Sequence, residues 1–596
     1  MKHLEDQLSL FIKQAIQESF SLDSFDDQLQ FQSTRKEFKG DLTLLVFPLT
    51  RYSKQSPEST AETIGAKLIK DTELVVGYNV VKGFLNLTIA SDYWQQALVS
   101  ALREKDTFGF NVDQKRPKQM VEFASPNTNK PLHLGHLRNI FLGDSLSRIF
   151  KAAGSEVVKV QIINDRGIHI CKSMLAWQKF GDEETPESSG MKGDHFVGKY
   201  YVIFDQKYKE EIAQLVREGM EQEEAEQKAP ILLEARKMLQ DWEAGEETVV
   251  KLWRKMNQWV YNGFEATYAH IGTSFDKLYY ESDTYLVGKE KVLQFTEHED
   301  FFSKEDGSFW VSLEKEGLDN KILLRADGTS VYMTQDIGTA ILREDDFACD
   351  HYHYVVGNEQ DYHFKVLKLI LQKMAYPWAD GISHLSYGMV DLPSGKMKSR
   401  EGTVVDADDI MHEMETTAAQ TAKELGKIEE LSEEEQNELF ETIGLGALKY
   451  FILKVDPKKN MLFDPEESID FNGNTGPFIQ YTHARIKSIL SKVGGAVLQG
   501  ELKLPALADE DRTVVKALLQ FPEVILESAE QLSPALLANY LYGLVKDFNH
   551  FYQNTPPLIK EENENVKQFR LALCELTAVV IERGMGLLGI RVPERM

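Results

Sequence analysis

Two histidines lie three residues apart where the hydrophobic pattern changes from strand to helix. His133 and His136 enclose Gly135 at the predicted start of a helix that ends at Gly154. Positions three apart share one helix face, and free N–H groups at a helix N-terminus favour phosphate. With Lys130 just upstream, the cluster has the chemistry to hold a nucleoside triphosphate and to stabilise charge at its α-phosphate. The alternatives are two ordinary surface histidines and a metal pair, although no third ligand follows nearby.

A second group of cations lies in a loop bounded by Gly395 and Gly402. The loop contains Lys396, Met397, Lys398, Ser399 and Arg400. A loop of this composition can close over a triphosphate and withdraw, and a basic surface hairpin is the alternative. The P-loop pattern GxxxxGK[ST] is absent, so a phosphate site here would be of another kind.

An HxGH helix start followed by a Lys-Met-Lys-Ser loop and then by a helical region resembles the class I aminoacyl-tRNA synthetases. The closest resemblance is to the arginyl-tRNA synthetase family, whose HIGH motif is similar to SPNTNKPLHLGHLRN. The stretches VYMTQDIGTA, QYTHARIKSIL, GLLGIRVPERM, FKGDLTLLVFPL and GFLNLTI are also similar to that family, so the resemblance covers essentially the whole chain. The residues of the HIGH-type segment are Ser125, Pro126, Asn127, Thr128, Asn129, Lys130, Pro131, Leu132, His133, Leu134, Gly135 and His136.

The resemblance implies an ATP site built from both clusters. Implied catalytic residues are His133, His136, Lys130, Lys396, Lys398 and Arg400. Implied ATP-binding residues are His133, Gly135, His136, Lys130, Lys396, Met397, Lys398 and Ser399. The serine and the second lysine of the loop are transposed relative to the KMSKS pattern of the class, so the cation that contacts the phosphates stays open.

An arginine pocket is the second implication of the resemblance. Glu122 and Asn127 would bind the α-amino and backbone end of the substrate, Tyr332 and Asp336 would contact its guanidinium, and Gln360 would complete the pocket. Carboxylates suit a planar guanidinium with five N–H donors. Independently of the resemblance, several of these residues follow predicted strands, and open parallel sheets bind ligands beyond the carboxyl ends of their strands. A surface acid at Glu122 and core packing at Tyr332 are the alternatives.

The fold class predicted for the chain is α/β. We expect a Rossmann-type parallel-sheet catalytic core with a helical insertion, an N-terminal α+β module that contacts tRNA, and a C-terminal all-α anticodon-binding bundle. The expected boundaries are residues 1–112 for the module, 113–405 for the core with its insertion near 180–260, 406–441 for a connecting segment, and 442–596 for the bundle.

Local patterns predict several elements. Phe38–Phe47 and Val80–Ile89 read as strand pairs with glycine at the turns, and Gln114–Gln119 as a linker. Asp327 and Gly328 predict a turn before a new helix, and Leu425–Glu441 an exposed turn or linker. The apolar face of the helix after His133 is predicted from Leu137, Phe141, Ile149 and Phe150. Candidates for stacking on anticodon bases, with core packing as the alternative, are Tyr540, Tyr542, Phe548, His550, Phe551 and Tyr552.

Composition limits the partners. The 596 residues include 67 Lys plus Arg and 94 Asp plus Glu, which gives a net charge of -27. A chain this acidic should not bind nucleic acid indiscriminately, and no DNA partner is expected. Cys171, Cys349 and Cys574 lie far apart, which argues against a thiolate zinc site or a disulfide framework and fits a reducing cytoplasm. No apolar run approaches the ~18 residues of a membrane span.

The resemblance implies a two-step reaction. Arginine and ATP form arginyl-adenylate and pyrophosphate, and arginine is then transferred to the 2′-OH at the 3′ end of tRNA(Arg). Mg²⁺ would accompany ATP without a protein metal site, tRNA would be needed for activation, and the family leans towards monomers. The alternatives are another class I synthetase with lysine as its substrate, a simple adenylyltransferase, and a non-catalytic tRNA-binding relative.

Overall fold

The computed structural model describes residues 2–35, 37–111, 115–391, 405–424, 431–493 and 507–596. The Lys396–Arg400 loop, with Met397, Lys398 and Ser399, lies outside these residues. The strands are β1 (Phe31–Ser33), β2 (Leu42–Leu45), β3 (Val75–Val81), β4 (Phe84–Ile89), β5 (Arg116–Glu122), β6 (Ser155–Ile163), β7 (Lys277–Tyr280), β8 (Phe301–Ser303), β9 (Phe309–Val311), β10 (Lys321–Leu324), β11 (His351–Gly357), β12 (Ile382–Tyr387), β13 (Val390–Asp391) and β14 (Met461–Leu462).

Helices account for most of the remaining described residues. They are α1 (Lys2–Phe20), α2 (Thr50–Ser53), α3 (Pro57–Asp71), α4 (Ser91–Arg103), α5 (Leu134–Ala152), α6 (Ile168–Phe180), α7 (Pro186–Ser189), α8 (Gly193–Arg217), α9 (Gln222–Lys228), α10 (Pro230–Glu243), α11 (Glu247–Ile271), α12 (Glu281–Thr284), α13 (Val287–Leu293), α14 (Tyr332–Phe347), α15 (Asp361–Lys373), α16 (Ala407–Glu424), α17 (Glu433–Leu453), α18 (Pro465–Ser468), α19 (Gly476–Val493), α20 (Asp509–Leu519), α21 (Phe521–Glu530), α22 (Pro534–Asn554) and α23 (Glu564–Leu587). No described helix has the length and apolar character needed to cross a membrane.

The N-terminal residues form an antiparallel sheet in the order β1-β2-β4-β3, covered by helices. The predicted strand pairs are confirmed, because β2 and β4 are neighbours and Leu42 lies opposite Leu87. Lys105 and Glu575 form an ion pair of 2.7 Å, and Arg583 donates to the Phe108 carbonyl at 2.7 Å. The N-terminal unit therefore packs on the C-terminal helices.

The central sheet has five strands in the order β12-β11-β5-β6-β7, and every neighbouring pair is parallel. The predicted strand–helix–strand unit is confirmed as β5-α5-β6. The chain leaves β5 to β6 on one side and returns later to β11 on the other, so the strand order reverses between β5 and β11. A crevice at such a switch point is the usual ligand site of an open parallel sheet.

Strand β5 begins within a polar stretch of the sequence. The linker predicted over Gln114–Gln119 is wrong from Arg116 onward, because these residues begin a paired strand. Pro117 is exposed, Arg116 and Lys118 are half-buried, and Gln119 is buried. The N–H of Lys118 donates to a carboxylate oxygen of Asp350 at 2.6 Å. The polar composition of this stretch therefore reflects a partly exposed strand end and not a break in the sheet.

Helix α5 is buried on nearly all sides, whereas the sequence predicted one apolar face. Leu137 and Phe141 are buried as expected, and the polar Asn139 is buried as well. The sheet packs on one side of α5, and helices α17, α21, α22 and α23 pack on the other. On the sheet side, a Cβ at Gly143 would lie 2.3 Å from Cγ of Phe123, so the close approach of helix and strand requires glycine.

The C-terminal region is helical apart from β14, which pairs in parallel with β13. The exposed turn predicted over Leu425–Glu441 is wrong from Glu433 onward, because α17 begins there. Ser432 caps this helix, because its hydroxyl accepts from the Glu435 N–H at 3.3 Å and its own backbone N–H donates to the Glu435 carboxylate at 2.8 Å. Core packing is confirmed for Phe548 and Phe551, which are 0% and 1% exposed.

The guanidinium of Arg138 joins α5 to two distant segments of the chain. It is fully buried and donates to five backbone carbonyls at 2.7–3.4 Å. Burial lowers the pKa of Arg138 to about 10, so the group stays charged at neutral pH. The acceptors are the carbonyls of Gly388, Met389, Asp456, Pro457 and Lys459.

Replacing Arg138 by methionine should lower the free energy of unfolding by about 3 kcal/mol or more, because five buried carbonyls would lose a charged donor. Urea unfolding followed by tryptophan fluorescence measures the change. Arg254→Met, at an exposed position of α11, is the matched control and should shift stability by less than about 0.5 kcal/mol. Equal effects of the two substitutions would contradict the assigned role.

Candidate active site

The HIGH-type segment crosses the carboxyl ends of β5 and β6. The Thr128 N–H donates to the Asn164 carbonyl at 3.1 Å, and the Asn164 N–H donates to the Pro126 carbonyl at 2.9 Å. These bonds hold the loop after β5 across the end of the neighbouring strand. Asn127, which pairs with Asn164 through a backbone bridge, keeps an exposed side chain.

His133 and His136 cap the first turn of α5. The Gly135 N–H donates to Nδ1 of His133 at 3.2 Å, and the His133 N–H donates to Nδ1 of His136 at 3.1 Å. A backbone N–H can only donate, so each Nδ1 is an acceptor without a proton. In a neutral imidazole the proton is then on Nε2. The two partly exposed rings, with centroids 3.9 Å apart, each carry one remaining N–H donor.

The surroundings keep both imidazoles neutral. Burial, assisted by the charge of Lys130, lowers the pKa of His133 to about 3. Burial and the neighbouring His133 and Lys130 also lower the pKa of His136 well below its usual value. Burial lowers the pKa of Lys130 as well, and no carboxylate of the described residues forms an ion pair with it. The site therefore offers two neutral donors beside one cation, a set that suits phosphate and ribose oxygens.

The chain returns to the HIGH-type segment directly after the Lys396–Arg400 loop. The Leu134 N–H donates to the Val405 carbonyl at 3.4 Å, and the Ala407 N–H donates to the Leu132 carbonyl at 3.0 Å. His133 and Asp406 form the backbone bridge between them. The end of the segment that carries the second cluster is thereby bonded to the first cluster.

Glu122, at the end of β5, forms a buried ion pair with Arg343 of α14. Their side chains are 8% and 3% exposed, and Ser125 donates its hydroxyl to the Glu122 carboxylate at 3.1 Å. The Arg343 guanidinium also lies over the rings of Tyr279 and Tyr354, 5.2 and 5.5 Å from their centroids. The carboxylate that the resemblance assigns to the substrate is thus paired with a guanidinium of the chain itself.

Tyr332 and Asp336 lie on the first two turns of α14, which reaches the end of β5 through the Arg343–Glu122 ion pair. Tyr332 is 77% exposed, which excludes core packing, and it is the first residue of the helix. A carboxylate oxygen of Asp336 lies 2.6 Å from Nε2 of His363. Gln360, in the turn after β11, is exposed. The structure therefore brings Glu122, Asp336 and the turn after β11 to one end of the sheet.

Arg343 and His363 were missed by sequence reasoning. Arg343 follows Asp336 by seven residues, a spacing that returns to the same helix face, so the extended pattern from Tyr332 could have indicated it. His363 lies on α15, and no sequence pattern connects it with Asp336.

The stretch from Asn164 to Gly167 serves the fold. The buried Asp165 carboxylate accepts hydrogen bonds from the hydroxyl of Tyr261 at 2.9 Å and from the backbone and side chain of Ser282 at 2.9 and 2.8 Å. Its carbonyl accepts from Trp253 at 2.6 Å. Asp165 thus joins the end of β6 to α11 and α12 and is occupied by internal partners.

The fold and this site define a class I aminoacyl-tRNA synthetase. The chain matches the family model of tRNA synthetases class I (R), catalytic domain, over residues 97–464, and that of the DALR anticodon binding domain over residues 479–596. It is 54% identical to an arginine–tRNA ligase of Bacteroides fragilis over the whole of both chains. An arginine–tRNA ligase of Flavobacterium psychrophilum is 54% identical over 100% of both chains. The chain belongs to the arginyl-tRNA synthetase family.

Solved structures agree with this assignment. The arginyl-tRNA synthetase of Thermus thermophilus has a TM-score of 0.79 and 25% identity, over 98% of this chain and 99% of that one. The arginyl-tRNA synthetase of Plasmodium falciparum has a TM-score of 0.73 at 20% identity, over 99% of both chains, and supports the fold.

The two histidines of the site should not titrate near neutral pH. Since the pKa values of both imidazoles are lowered, their ¹³Cε1 resonances should stay constant between about pH 5.5 and 8, the range in which an ordinary histidine changes charge. His195, whose pKa is raised by a hydrogen bond to Asp408, should titrate above its usual range in the same spectra. His133→Gln and His136→Gln assign the signals, and a midpoint of either ring within that range would contradict the neutral-donor model.

Proposed function

We infer that the chain is an ATP-dependent arginine–tRNA ligase that activates L-arginine and transfers it to tRNA. The observation that carries this conclusion is the 54% identity to an arginine–tRNA ligase over the whole of both chains. The intact pair of capping histidines at the switch point of the sheet supports it. The family match is to the arginine class of the catalytic domain, so a lysine-specific synthetase and a non-catalytic relative are not favoured.

In the first step, a carboxylate oxygen of arginine attacks the α-phosphorus of ATP. The bond from that phosphorus to the bridging oxygen breaks, and pyrophosphate leaves with the negative charge. The Nε2–H groups of His133 and His136, with Lys130, are placed to donate to phosphate and ribose oxygens, where they stabilise the shifting charge without exchanging a proton. We assign pyrophosphate stabilisation to Lys396, Lys398 and Arg400, because the chain returns from their loop to His133. Mg²⁺ enters with ATP as part of the substrate.

In the second step, the 2′-OH of the terminal ribose of tRNA attacks the acyl carbon. The bond to AMP breaks, and AMP leaves. No nucleophile of the enzyme is needed, so positioning and charge stabilisation account for the catalysis. We propose that residues 1–112 contact the tRNA and that the helices of 442–596 read its anticodon. In that region, Tyr542, Tyr552 and His550 keep part of their surface exposed.

For arginine itself, we propose that Tyr332 and Asp336 contact the guanidinium. Both side chains are at least partly exposed, so the substrate can reach them, and this accessibility supports the role. His363, bonded to Asp336, orients the carboxylate. We propose that Glu122, Asn127 and Gln360 contact the backbone end of the substrate. In this arrangement the Glu122 carboxylate interacts with both the substrate amino group and the Arg343 guanidinium.

Three further proposals concern the setting of the enzyme. A cytoplasmic location fits the three cysteines, which are free and buried. A monomer is the state that the family resemblance implies. The absence of a DNA partner fits the net charge of -27.

ATP–pyrophosphate exchange tests the reaction. We expect exchange that depends on arginine and not on lysine, measured with and without tRNA(Arg). A tRNA requirement would match the family expectation, and activity without tRNA would correct only that detail. Absence of arginine-dependent exchange in the presence of cognate tRNA would overturn the proposed function.

Asp336→Asn tests the arginine pocket. Loss of the charge opposite the guanidinium should raise the KM for arginine about 10- to 100-fold, the size expected for a hydrogen bond between charged groups, while the KM for ATP changes less than about threefold. Asp345→Asn, on an exposed position of the same helix, is the matched control. An unchanged arginine KM would remove Asp336 from the pocket.

A further inference from the structure

A charged cluster lies where the helical insertion meets residues 406–408, which follow the Lys396–Arg400 loop in the chain. We call it the Lys192 network, and its members come from α11 and from the residues at the starts of α8 and α16. The ammonium of Lys192 lies 2.5 Å from Asp408 and 3.3 Å from Asp194. Nε2 of His195 lies 3.0 Å from Asp408 and 3.4 Å from Asp406. The members are Lys192, Asp194, His195, Thr267, Asp406 and Asp408.

Asp408 is the acceptor at the centre of the network. One carboxylate oxygen accepts from both Lys192 and His195, and the other accepts from the hydroxyl of Thr267 at 3.0 Å. Lys192 also donates to Thr267. Two elements of the insertion, the start of α8 and the body of α11, therefore grip one aspartate at the start of α16.

The spacing of the acids and the imidazole resembles that of a metal site. One ligand atom each from Asp194, His195 and Asp408 lies within 4.8 Å of the others. The Lys192 ammonium, however, contacts both carboxylates and supplies the positive charge that a cation would bring. The cluster is therefore better explained as an ion-pair network than as a metal centre.

The network is bonded directly to the proposed ATP site. The Asp408 N–H donates to the Asp406 carboxylate at 2.8 Å, and Asp406 forms the backbone bridge with His133. The bond from the Ala407 N–H to the Leu132 carbonyl, 3.0 Å long, completes the contact. Only Ala407 separates Asp408 from Asp406, whose backbone faces His133.

The pKa shifts within the Lys192 network favour attraction between the Asp408 carboxylate and its partners. Burial raises the pKa of Asp408, but hydrogen bonds from His195 and Lys192 outweigh it and lower that pKa. The hydrogen bond to Asp408 raises the pKa of His195 in turn, against burial and the nearby Lys192 charge. Burial raises the pKa of Asp406 to about 6. At neutral pH, Asp408 is thus an anion held by the Lys192 ammonium and by a hydrogen bond with His195.

We propose that Lys192 and His195 are positioning residues for the adenylation step. By holding Asp408 they fix residues 405–407 against Leu132–Leu134, and so they set the position of His133 relative to the described residues that follow the Lys396–Arg400 loop. The insertion thereby controls the geometry of the ATP site without contacting ATP. This inference rests on the proposed function, in which His133 contacts ATP.

A set of substitutions tests the proposal on the full-length enzyme. Lys192→Met removes the charge, Lys192→Arg keeps it, and Asp408→Asn removes the shared acceptor. Lys209→Met is the matched control, because Lys209 is a lysine of the same helix in an exposed ion pair with Asp205 and lies about 25 Å further along it. The measurements are kcat and both KM values in ATP–pyrophosphate exchange, ATP affinity by calorimetry, and the thermal midpoint.

Displacement of His133 should lower kcat for exchange by about 10- to 100-fold and raise the KM for ATP, as expected when a reacting geometry is lost. The KM for arginine should change less than about twofold, because the arginine pocket lies on other elements. Lys192→Arg should recover most of the activity. Lys192→Met and Asp408→Asn should not be additive, since both remove the same ion pair.

The opposite results would overturn the inference. Lys192→Met with the kinetics of the Lys209→Met control would show that the network does not position the site. Equal loss for arginine and ATP together with a lower thermal midpoint and no recovery in Lys192→Arg would show a role in folding alone. If the wild-type enzyme lacks arginine-dependent exchange, the proposed function fails instead, and the ATP affinities of the variants still decide the positioning role.

Discussion

The guanidinium of Arg138 lies two residues after His136 and donates to carbonyls that precede the Lys396–Arg400 loop and to carbonyls that follow α17. Removing a guanidinium from water is costly, and here hydrogen bonds to backbone dipoles offset that cost. We call this set of hydrogen bonds the clamp at Arg138. Because the same helix carries the two capping histidines at its start, any shift of the clamp would move the ATP site. The Lys192 network acts on the start of the same helix through residues 405–407. The catalytic geometry therefore depends on polar contacts between segments that are remote in the chain.

Sequence patterns were sufficient for elements that depend on neighbouring residues. The start of α5 at His133, the parallel unit β5-α5-β6 and the helical C-terminal region all follow from local periodicity and capping. Residues whose environment depends on packing were not predictable. Asn139 lies outside the predicted apolar face of α5, and yet it is buried against the sheet. Its amide accepts from the Ala124 N–H and donates to the Val355 carbonyl and the Tyr387 hydroxyl. Glu122 looked available to a substrate, and it is paired with Arg343 because α14 crosses the sheet above it. The polar stretch at the start of β5 was not predictable either, because a partly exposed strand end and a linker have similar compositions.

The charge distribution of the site differs from that of the whole chain. The chain carries a net charge of -27, yet the described part of the ATP site contributes a lysine and two neutral imidazoles. Neutral donors bind a triphosphate less strongly than cations would, and they gain strength as negative charge moves onto the oxygens they contact. Such groups favour the transition state over the bound substrate. Excess negative charge elsewhere keeps unrelated polyanions away from the surface, so that recognition is left to local patches.

The clamp at Arg138 also sets an order of events during synthesis. The last of its acceptors, the carbonyl of Lys459, is 321 residues further along the chain. At a translation rate of about 5–20 residues per second, roughly 15 to 65 seconds pass between the two. Throughout that interval the nascent Rossmann core holds an arginine that lacks at least one of its five acceptors. Completion of the catalytic half must therefore wait for the ribosome to deliver part of the C-terminal half, and the two halves mature together.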